Sequence, residues 1–484
     1  MEEIDIAIIT KRSIRGILAL TSRTLTIQII SLISNFLLTI FLSPTIFGVF
    51  FVVSAAIAFL SYFSDIGLAA ALIQKKEQIT DEDLKTTFTI QQVLVVTIVV
   101  VALILAKPIG SFYHLNENGI LLFQALSFSF LLASLKTIPS IILERSLRFE
   151  KLVIPQIVET LVFSVLAVSF AIKGFGVTSF TIAVLGRGVA GLVAMYIVAP
   201  WRIKIGFSKE SATKLLSFGV PFQMNSFLAL VKDDLLIAYL GKVLPLAQVG
   251  YIGFAQKWAL TPLRLIMDNI IRITFPSFSR LQNEKQSLSK ALEKSVFVST
   301  FFIFPSLVML VLLSPYFINL IPKYDKWEPA LLALGFFSLN AGLSSISTPL
   351  TNALNAIGKI KITLYLMIFW TITTWILTPL LINIYGFNGV AIASAVISLS
   401  VVLVVAIVKK FINFSIFRAT ACPLISTFFM GVILYLLAPI VITNFLTLIF
   451  MIAISIMIYF STSFILAREQ ILSDIAIIKQ NLRK

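Results

Sequence analysis

Apolar stretches long enough to cross a bilayer recur along the whole chain, separated by short segments that contain charges, glycine or proline. A membrane-spanning helix needs about 20 predominantly apolar residues. Only 12% of the residues are charged and 58% are hydrophobic, whereas soluble domains contain about 25% charged residues. Helices let single apolar segments satisfy their backbone hydrogen bonds in lipid. The sequence therefore predicts an all-α polytopic membrane protein.

The apolar windows predict about fourteen transmembrane helices, of which the seventh and eighth are the least apolar. They cover residues 16–42, 46–68, 87–106, 119–135, 152–172, 177–199, 215–240, 246–272, 293–314, 329–351, 362–383, 389–408, 419–440 and 444–466. The longest segment predicted outside the cytoplasm covers residues 315–328. No such segment is large enough to fold a catalytic site.

Basic residues are distributed unequally between alternate segments. Of the 38 Lys and Arg residues, 27 lie in one set of alternate segments, counting Lys294 at the very start of the ninth span, 5 lie in the opposite set and the remaining 6 lie within spans. Cytoplasmic loops of membrane proteins are enriched in Lys and Arg, so the first set, which includes both termini, is predicted to be cytoplasmic. We therefore interpret the net charge of +16 as loop asymmetry and expect no nucleic-acid partner.

The residues needed for common enzyme chemistry are missing. His114 is the single histidine and Cys422 is the single cysteine. We therefore expect neither a metal site of the HExxH type, which needs two histidines, nor a catalytic Cys/His dyad. The sequence also contains no phosphate-binding loop of the GxxxxGK[ST] type. We expect no catalytic residue, no metal and no cofactor. Transport is then driven by an ion gradient, with H⁺ or Na⁺ as the candidate coupling ion, by the substrate's own gradient or by a partner.

Two glycine-containing landmarks recur in the two halves of the chain. Residues 42–50 resemble residues 240–251, and residues 174–183 resemble residues 386–393. One interpretation is that Gly-aromatic turns are common between hydrophobic helices. The other is a duplicated six-helix unit, which is how many transporters build two lobes around a central site. The duplication predicts lobes at residues 1–200 and 201–410, followed by two additional spans and a tail at residues 411–484.

Charged residues inside the predicted eighth span follow a helical pattern. Lys257, Arg264, Asp268 and Arg272 are spaced so that they share one helical face. Charges in hydrocarbon are costly and by default mark a substrate or ion path. A second interpretation is an ion-pair ladder of Arg264, Asp268 and Arg272 that only makes the helix end tolerable.

The predicted seventh span is also polar. It contains Gln223, Asn225, Lys232, Asp233 and Asp234. Either aspartate is a candidate proton site, because desolvation raises the pKa of a carboxyl. Alternatively, Lys232 simply neutralises one of the two aspartates.

The first half supplies fewer intramembrane charges. Arg23 lies in a hydrophilic stretch of the first span, and its planar guanidinium suits a phosphate or diphosphate. Asp65 lies toward the inner end of the second span, where a helix-end turn is the alternative. Glu159 and Arg187, in the fifth and sixth spans, are expected to pair with each other or to face a cavity.

Several of these segments resemble one family. The resemblance lies in Phe47-Gly48-Val49-Phe50, Asp65-Ile66-Gly67-Leu68, Phe218-Gly219-Val220-Pro221, Asp233-Asp234-Leu235-Leu236-Ile237, Gly250-Tyr251 and Phe275-Pro276-Ser277-Phe278-Ser279-Arg280-Leu281. They are similar to the Wzx-type polysaccharide flippases of the multidrug/oligosaccharidyl-lipid/polysaccharide exporter superfamily. The resemblance implies a V-shaped, pseudo-twofold fold of two six-helix lobes plus two C-terminal helices, in the bacterial cytoplasmic membrane. This sequence departs from the family's pattern at two places: Lys232-Asp233-Asp234 stands where the family usually has an Asn-x-Asp pattern, and Gln256 stands where it frequently has a tyrosine.

The resemblance implies the transfer of undecaprenyl-diphosphate-linked oligosaccharide, an O-antigen, capsule or teichuronic-type repeat unit, to the outer leaflet. Expected diphosphate-binding residues are Arg23, Lys257 and Arg264. Expected sugar contacts are Gln28, Asn35, Gln223 and Asn225. Candidate ion-coupling residues are Asp65, Asp233, Asp234 and Asp268. Besides this substrate and membrane lipids, a polysaccharide polymerase and a chain-length regulator are candidate partners of a monomeric protein.

Three alternatives to this function differ in substrate or chemistry. A lipid II flippase has the same fold and differs in its cargo. A multidrug exporter of the same superfamily is less consistent with a basic cavity and fourteen spans. A membrane glycan polymerase is the least consistent, because it needs a large outer loop.

Overall fold

The computed structural model describes residues 6–64, 66–75, 77–466 and 468, with side chains from residue 24 onward except at 221, 222, 224–226 and 229. All regular secondary structure within these residues is helical, which confirms the predicted fold class. The chain divides into two compact units, Met1–Gly250 and Tyr251–Lys484. The lobe limits at residues 200 and 410 remain a prediction.

Unit 1 contains eleven described helices and the beginning of a twelfth. They are α1 (Ile6–Phe41), α2 (Pro44–Tyr62), α3 (Leu68–Gln74), α4 (Asp81–Ile104), α5 (Ala106–Phe112), α6 (Glu117–Ser134), α7 (Thr137–Arg145), α8 (Phe149–Ile172), α9 (Val177–Val198), α10 (Lys209–Lys232), α11 (Asp234–Val243) and α12 (Leu246–Arg280).

Unit 2 contains most of α12 and the remaining helices of the described chain. These are α13 (Lys285–Leu320), a 3-10 helix (Asp325–Ala330), α14 (Leu331–Ala356), α15 (Ile360–Tyr385), α16 (Asn388–Ser398), α17 (Val401–Lys409), α18 (Ile416–Val441) and α19 (Phe445–Leu466).

Twelve helices of the described residues are long and apolar enough to cross a membrane. They coincide with the predicted spans one to six and nine to fourteen. The predicted seventh span is divided at Asp233 into α10 and α11, and the eighth continues as α12 to Arg280. At 1.5 Å per residue, the 35 residues of α12 extend about 52 Å, beyond the ~30 Å hydrocarbon core. The total of fourteen spans and the cytoplasmic termini remain predictions.

Local signals in the sequence begin several of these helices. At the start of α4, the Asp83 N–H donates to Thr80 Oγ1 over 3.1 Å and the Thr80 N–H donates to Asp83 Oδ2 over 2.9 Å. This reciprocal capping box satisfies two backbone donors. Pro44 occupies the first turn of α2, where its missing N–H leaves no bond unmade.

Aromatic side chains form part of the packing within each unit. In unit 1 the rings of Phe50 on α2 and Phe180 on α9 stack with centroids 4.3 Å apart. In unit 2 Phe254 on α12 stacks at 4.3 Å on Trp327, which is fully buried in the 3-10 helix. Buried aliphatic side chains, among them Leu313, Leu434 and Met451, form a further cluster of unit 2 that joins α13, α18 and α19.

The backbone of unit 1 approaches the 209–250 region closely at two places, near the start of α2 and at Gly67 just before α3. A Cβ added to Gly48 would lie 1.7 Å from the Leu246 carbonyl oxygen, and one added to Gly250 would lie 1.9 Å from the Pro44 carbonyl oxygen. At the second place, a Cβ added to Gly67 would lie 2.1 Å from the Gly219 carbonyl oxygen. Gly48 and Gly250, the corresponding landmarks of the proposed repeat, are therefore neighbours in space.

Candidate functional site

The charged face predicted for α12 is present in the structure. The side chains of Lys257, Arg264, Asp268 and Arg272 are all exposed; we call these four residues the charged stripe. Thr261 lies between the first two and donates from Oγ1 to the Lys257 carbonyl oxygen over 2.7 Å. The stripe lies within unit 2 and advances along α12 at the helical period.

The opposite face of α12 fixes the direction of the stripe. Met267 is buried against Ile303 and Leu307 of α13 and Ala341 of α14. The apolar residues packed around this cluster are Leu260, Leu263, Ile266, Ile270 and Ile271. Because these side chains anchor one side of the helix, the charged side must point away from α13 and α14.

The ion-pair ladder expected as an alternative is not formed. Among the ion pairs of the described residues, none within 4.0 Å joins Asp268 to Arg264 or Arg272. Exposed pairs gain little over hydration, and their formation restricts two flexible side chains. With three cations and one carboxylate, the stripe has a formal charge of +2 and matches an anionic ligand.

The acidic pair at the junction of α10 and α11 is asymmetric. Lys232 Nζ lies 2.7 Å from Asp233 Oδ1, which confirms that Lys232 neutralises one of the two aspartates. Asp233 is exposed, whereas Asp234 is half-buried in the first turn of α11. Among the described residues Asp234 makes no ion pair, so the two carboxylates have different environments.

Gln223 connects α10 to α2. Its Nε2 donates to the Tyr62 carbonyl oxygen over 3.2 Å, and the Tyr62 hydroxyl donates to the Gln223 carbonyl oxygen over 2.6 Å. Part of the predicted sugar-binding capacity of Gln223 is therefore used between helices. A role in sugar binding stays a prediction.

The polar residues of α1 differ in burial. Asn35 is buried, which makes it less accessible than the predicted role in sugar binding requires. Gln28 is half-buried, and its Oε1 is buried without a hydrogen-bond partner among the residues that the structure describes. An unsatisfied buried acceptor costs about 1–3 kcal/mol, so a ligand or water donor at this oxygen would be favourable. The side chains of Arg23, Asp65 and Asn225 lie outside the described residues.

A three-residue ionic network in unit 1 was only partly predicted. Glu159 Oε2 lies 3.7 Å from Arg187 Nε, which confirms the expected pair, and Oε1 also binds Lys136 Nζ. Gly191 makes room for the carboxylate, because a Cβ there would lie 2.1 Å from Glu159 Oε1. Lys136 lies between the predicted fourth and fifth spans, and nothing in its local sequence indicates that it reaches α8.

Comparison with known proteins places these features in a family. Residues 37–331 match the model of a family described as polysaccharide biosynthesis protein. The chain is 22% identical over 392 residues to the succinoglycan biosynthesis transport protein ExoT of Rhizobium meliloti, covering 81% of this chain and 77% of that protein. It is 24% identical over 327 residues to the lipopolysaccharide biosynthesis protein WzxC of Escherichia coli, covering 67% of this chain and 66% of that protein.

The fold is also similar to that of a solved transporter. The lipid II flippase MurJ in an inward closed conformation matches with a TM-score of 0.77 over 93% of this chain and 99% of that protein. Sequence identity in this comparison is 18%. The similarity therefore establishes the shared fold, while cargo has to be argued from the chain's own residues.

Proposed function

The chain belongs to the polysaccharide biosynthesis protein family, and on that premise we propose that it is a flippase for undecaprenyl-diphosphate-linked oligosaccharide. It would move an O-antigen, capsule or teichuronic-type repeat unit across the bacterial cytoplasmic membrane by alternating access. The names of its relatives, a succinoglycan transport protein and a lipopolysaccharide biosynthesis protein, support this substrate class. The observation that carries the proposal is the exposed, net cationic stripe on α12.

The charged stripe suits a diphosphate better than a neutral or cationic cargo. Lys257 and Arg264 are seven residues apart, or about 10 Å along the helix axis, with Thr261 between them on the same face. The ammonium and guanidinium offer charge-assisted hydrogen bonds to phosphate oxygens. A multidrug exporter for cationic compounds would need the opposite charge on such a face.

The sugar and ion contacts are further parts of the proposal. Gln28 is the best-supported sugar contact, since a hydroxyl donor would satisfy its buried Oε1. Asp234 is the first candidate for H⁺ or Na⁺ coupling, since Asp233 is neutralised by Lys232. A polysaccharide polymerase and a chain-length regulator are the proposed partners of a monomeric flippase.

The proposal is tested by replacing single cations in a strain that lacks the chromosomal copy. Lys257→Ala and Arg264→Ala should abolish surface polysaccharide while the protein still reaches the membrane. Each change removes a charge-assisted hydrogen bond of about 1.5–3 kcal/mol, which corresponds to about ten- to hundredfold in affinity. Lys285→Ala is the matched control, because Lys285 is exposed at the start of α13 and lies off the stripe.

Two outcomes separate the site from the function. Full export by both stripe variants would refute the cationic site and leave the flippase assignment standing. Failure of the wild-type chain to restore export in its own host's deletion strain would refute the assignment itself.

A further inference from the structure

The connection between α9 and α10 crosses the first turns of α4 in a non-helical conformation. We call residues 201–208 the strap. The Trp201 ring packs edge-on against the Phe88 ring of α4, with the ring centroids 5.1 Å apart, and Lys204 Nζ lies 2.8 Å from Asp81 Oδ1. Two backbone groups of the strap also bind α4: the Gly206 N–H donates to Thr89 Oγ1 over 3.0 Å, and the Ser208 N–H donates to Thr86 Oγ1 over 2.9 Å. Four positions of the strap are thus fixed on one side.

The side chains at positions 203, 205 and 207 of the strap point away from α4 and are apolar. Ile203, Ile205 and Phe207 are 53%, 80% and 67% exposed. They alternate with Lys204, Gly206 and Ser208, as expected for extended chain. Because α4 holds the alternate positions, the strap cannot rotate to bury these three side chains. A continuous exposed apolar row of this kind is typical of an interaction surface rather than of scattered surface residues.

The surroundings of this row indicate its occupant. The strap begins three residues after Val198, where α9 ends, and α9 is long and apolar enough to cross a membrane. The row therefore lies near the level at which a span leaves the hydrocarbon. Arg202 and Lys209 flank it and are exposed. Apolar side chains next to basic ones match the boundary between acyl chains and anionic headgroups.

We propose that the strap is a membrane-surface anchor. Ile203, Ile205 and Phe207 enter the acyl boundary of the inner leaflet, and Arg202 and Lys209 bind the phosphates of anionic phospholipids. The anchor holds the beginning of α4 at the bilayer surface through the four contacts on its other side. This role is independent of the cargo that the protein carries.

The test uses the full chain with Cys422→Ser and a single new cysteine for an environment-sensitive fluorophore. Ile205→Cys reports on the strap, and Asn283→Cys, in the exposed turn between α12 and α13, is the matched control. Both proteins are reconstituted in phosphatidylcholine vesicles with or without phosphatidylglycerol. Lipid-borne spin labels should quench the probe at 205 at least twofold more than the probe at 283, and iodide should do the reverse.

The other outcomes decide against parts of the proposal. Equal quenching at 205 and 283 overturns it, and so does a probe at 205 that is shielded from both quenchers, because protein then covers the row. In the Ile205→Cys background, Arg202→Gln with Lys209→Gln should remove the added quenching that phosphatidylglycerol produces. An unchanged response overturns the headgroup contact. Ile203→Cys provides a second reporter if the first variant does not remain folded in detergent.

Discussion

Replacing Gly48 by alanine should weaken the packing of α2 against the beginning of α12. The new Cβ would lie 1.7 Å from the carbonyl oxygen and 2.6 Å from the carbonyl carbon of Leu246. Both are backbone atoms, so no side chain can rotate to relieve the overlap. To reach the 3.0 Å below which real Cβ contacts essentially never occur, the two backbones must separate by about 1.3 Å, and backbone shifts forced by an added group are destabilising.

The expected loss follows from two opposing terms. Overpacking of this kind costs about 1–3 kcal/mol, and alanine gains about 1 kcal/mol over glycine in a helix. Gly335→Ala in α14 provides the matched control, because its Cβ meets nothing within 4 Å and it gains the same propensity. The two variants should therefore differ by about 1–3 kcal/mol in the free energy of unfolding.

The difference is measurable by heating detergent-solubilised protein and recording the folded fraction by gel filtration. At about 2–4 °C per kcal/mol for units of this size, Gly48→Ala should melt several degrees below Gly335→Ala. Gly250→Ala should reproduce the loss, since its Cβ would lie 1.9 Å from the Pro44 carbonyl oxygen. Equal melting temperatures for Gly48→Ala and Gly335→Ala would refute the close backbone contact.

Three further predictions concern the charged groups and the cargo. Glu159→Gln should lower the free energy of unfolding by about 1–3 kcal/mol, and with it the melting temperature, because it leaves the half-buried Lys136 without its carboxylate. Glu210→Gln on the exposed surface should not lower the melting temperature. Equal melting temperatures of the two variants would contradict the network's role. Asp234→Asn should reduce ion-dependent export more than Asp233→Asn, as measured by surface polysaccharide across a range of proton gradients; the reverse order would assign coupling to the exposed aspartate. Expression in a strain depleted of its lipid II flippase should not restore growth, and rescue there would favour lipid II as cargo.

The features that could be predicted from the sequence depend on local patterns. Membrane spans follow from hydropathy, because each stretch must satisfy its own backbone in lipid. The charged stripe of α12 follows from helical spacing alone, since the apolar residues around Met267 alternate with the charges at the same period. Both the fold class and the charged face of α12 could therefore be predicted from the sequence alone.

The features that could not be predicted depend on partners distant in the chain. The contact of Gly48 with Gly250 and the binding of Lys136 to Glu159 arise only when separate helices pack. The division of the predicted seventh span at Asp233 had no proline or glycine to mark it. The exposure of Ile205 was invisible too, because hydropathy cannot tell which side of an extended strap is occupied by α4.

Translocation in vesicles is the most direct measurement of the proposed function. Lipid-linked oligosaccharide from the host, labelled on its glycan, is incorporated with purified protein, and its access to a membrane-impermeant quencher is followed over time. Wild-type protein and Lys285→Ala should equilibrate the label between leaflets, whereas the double variant Lys257→Ala, Arg264→Ala should be no faster than protein-free vesicles. Wild-type vesicles that are no faster than protein-free ones would contradict the flippase assignment, and a double variant as fast as wild type would contradict the role of the stripe.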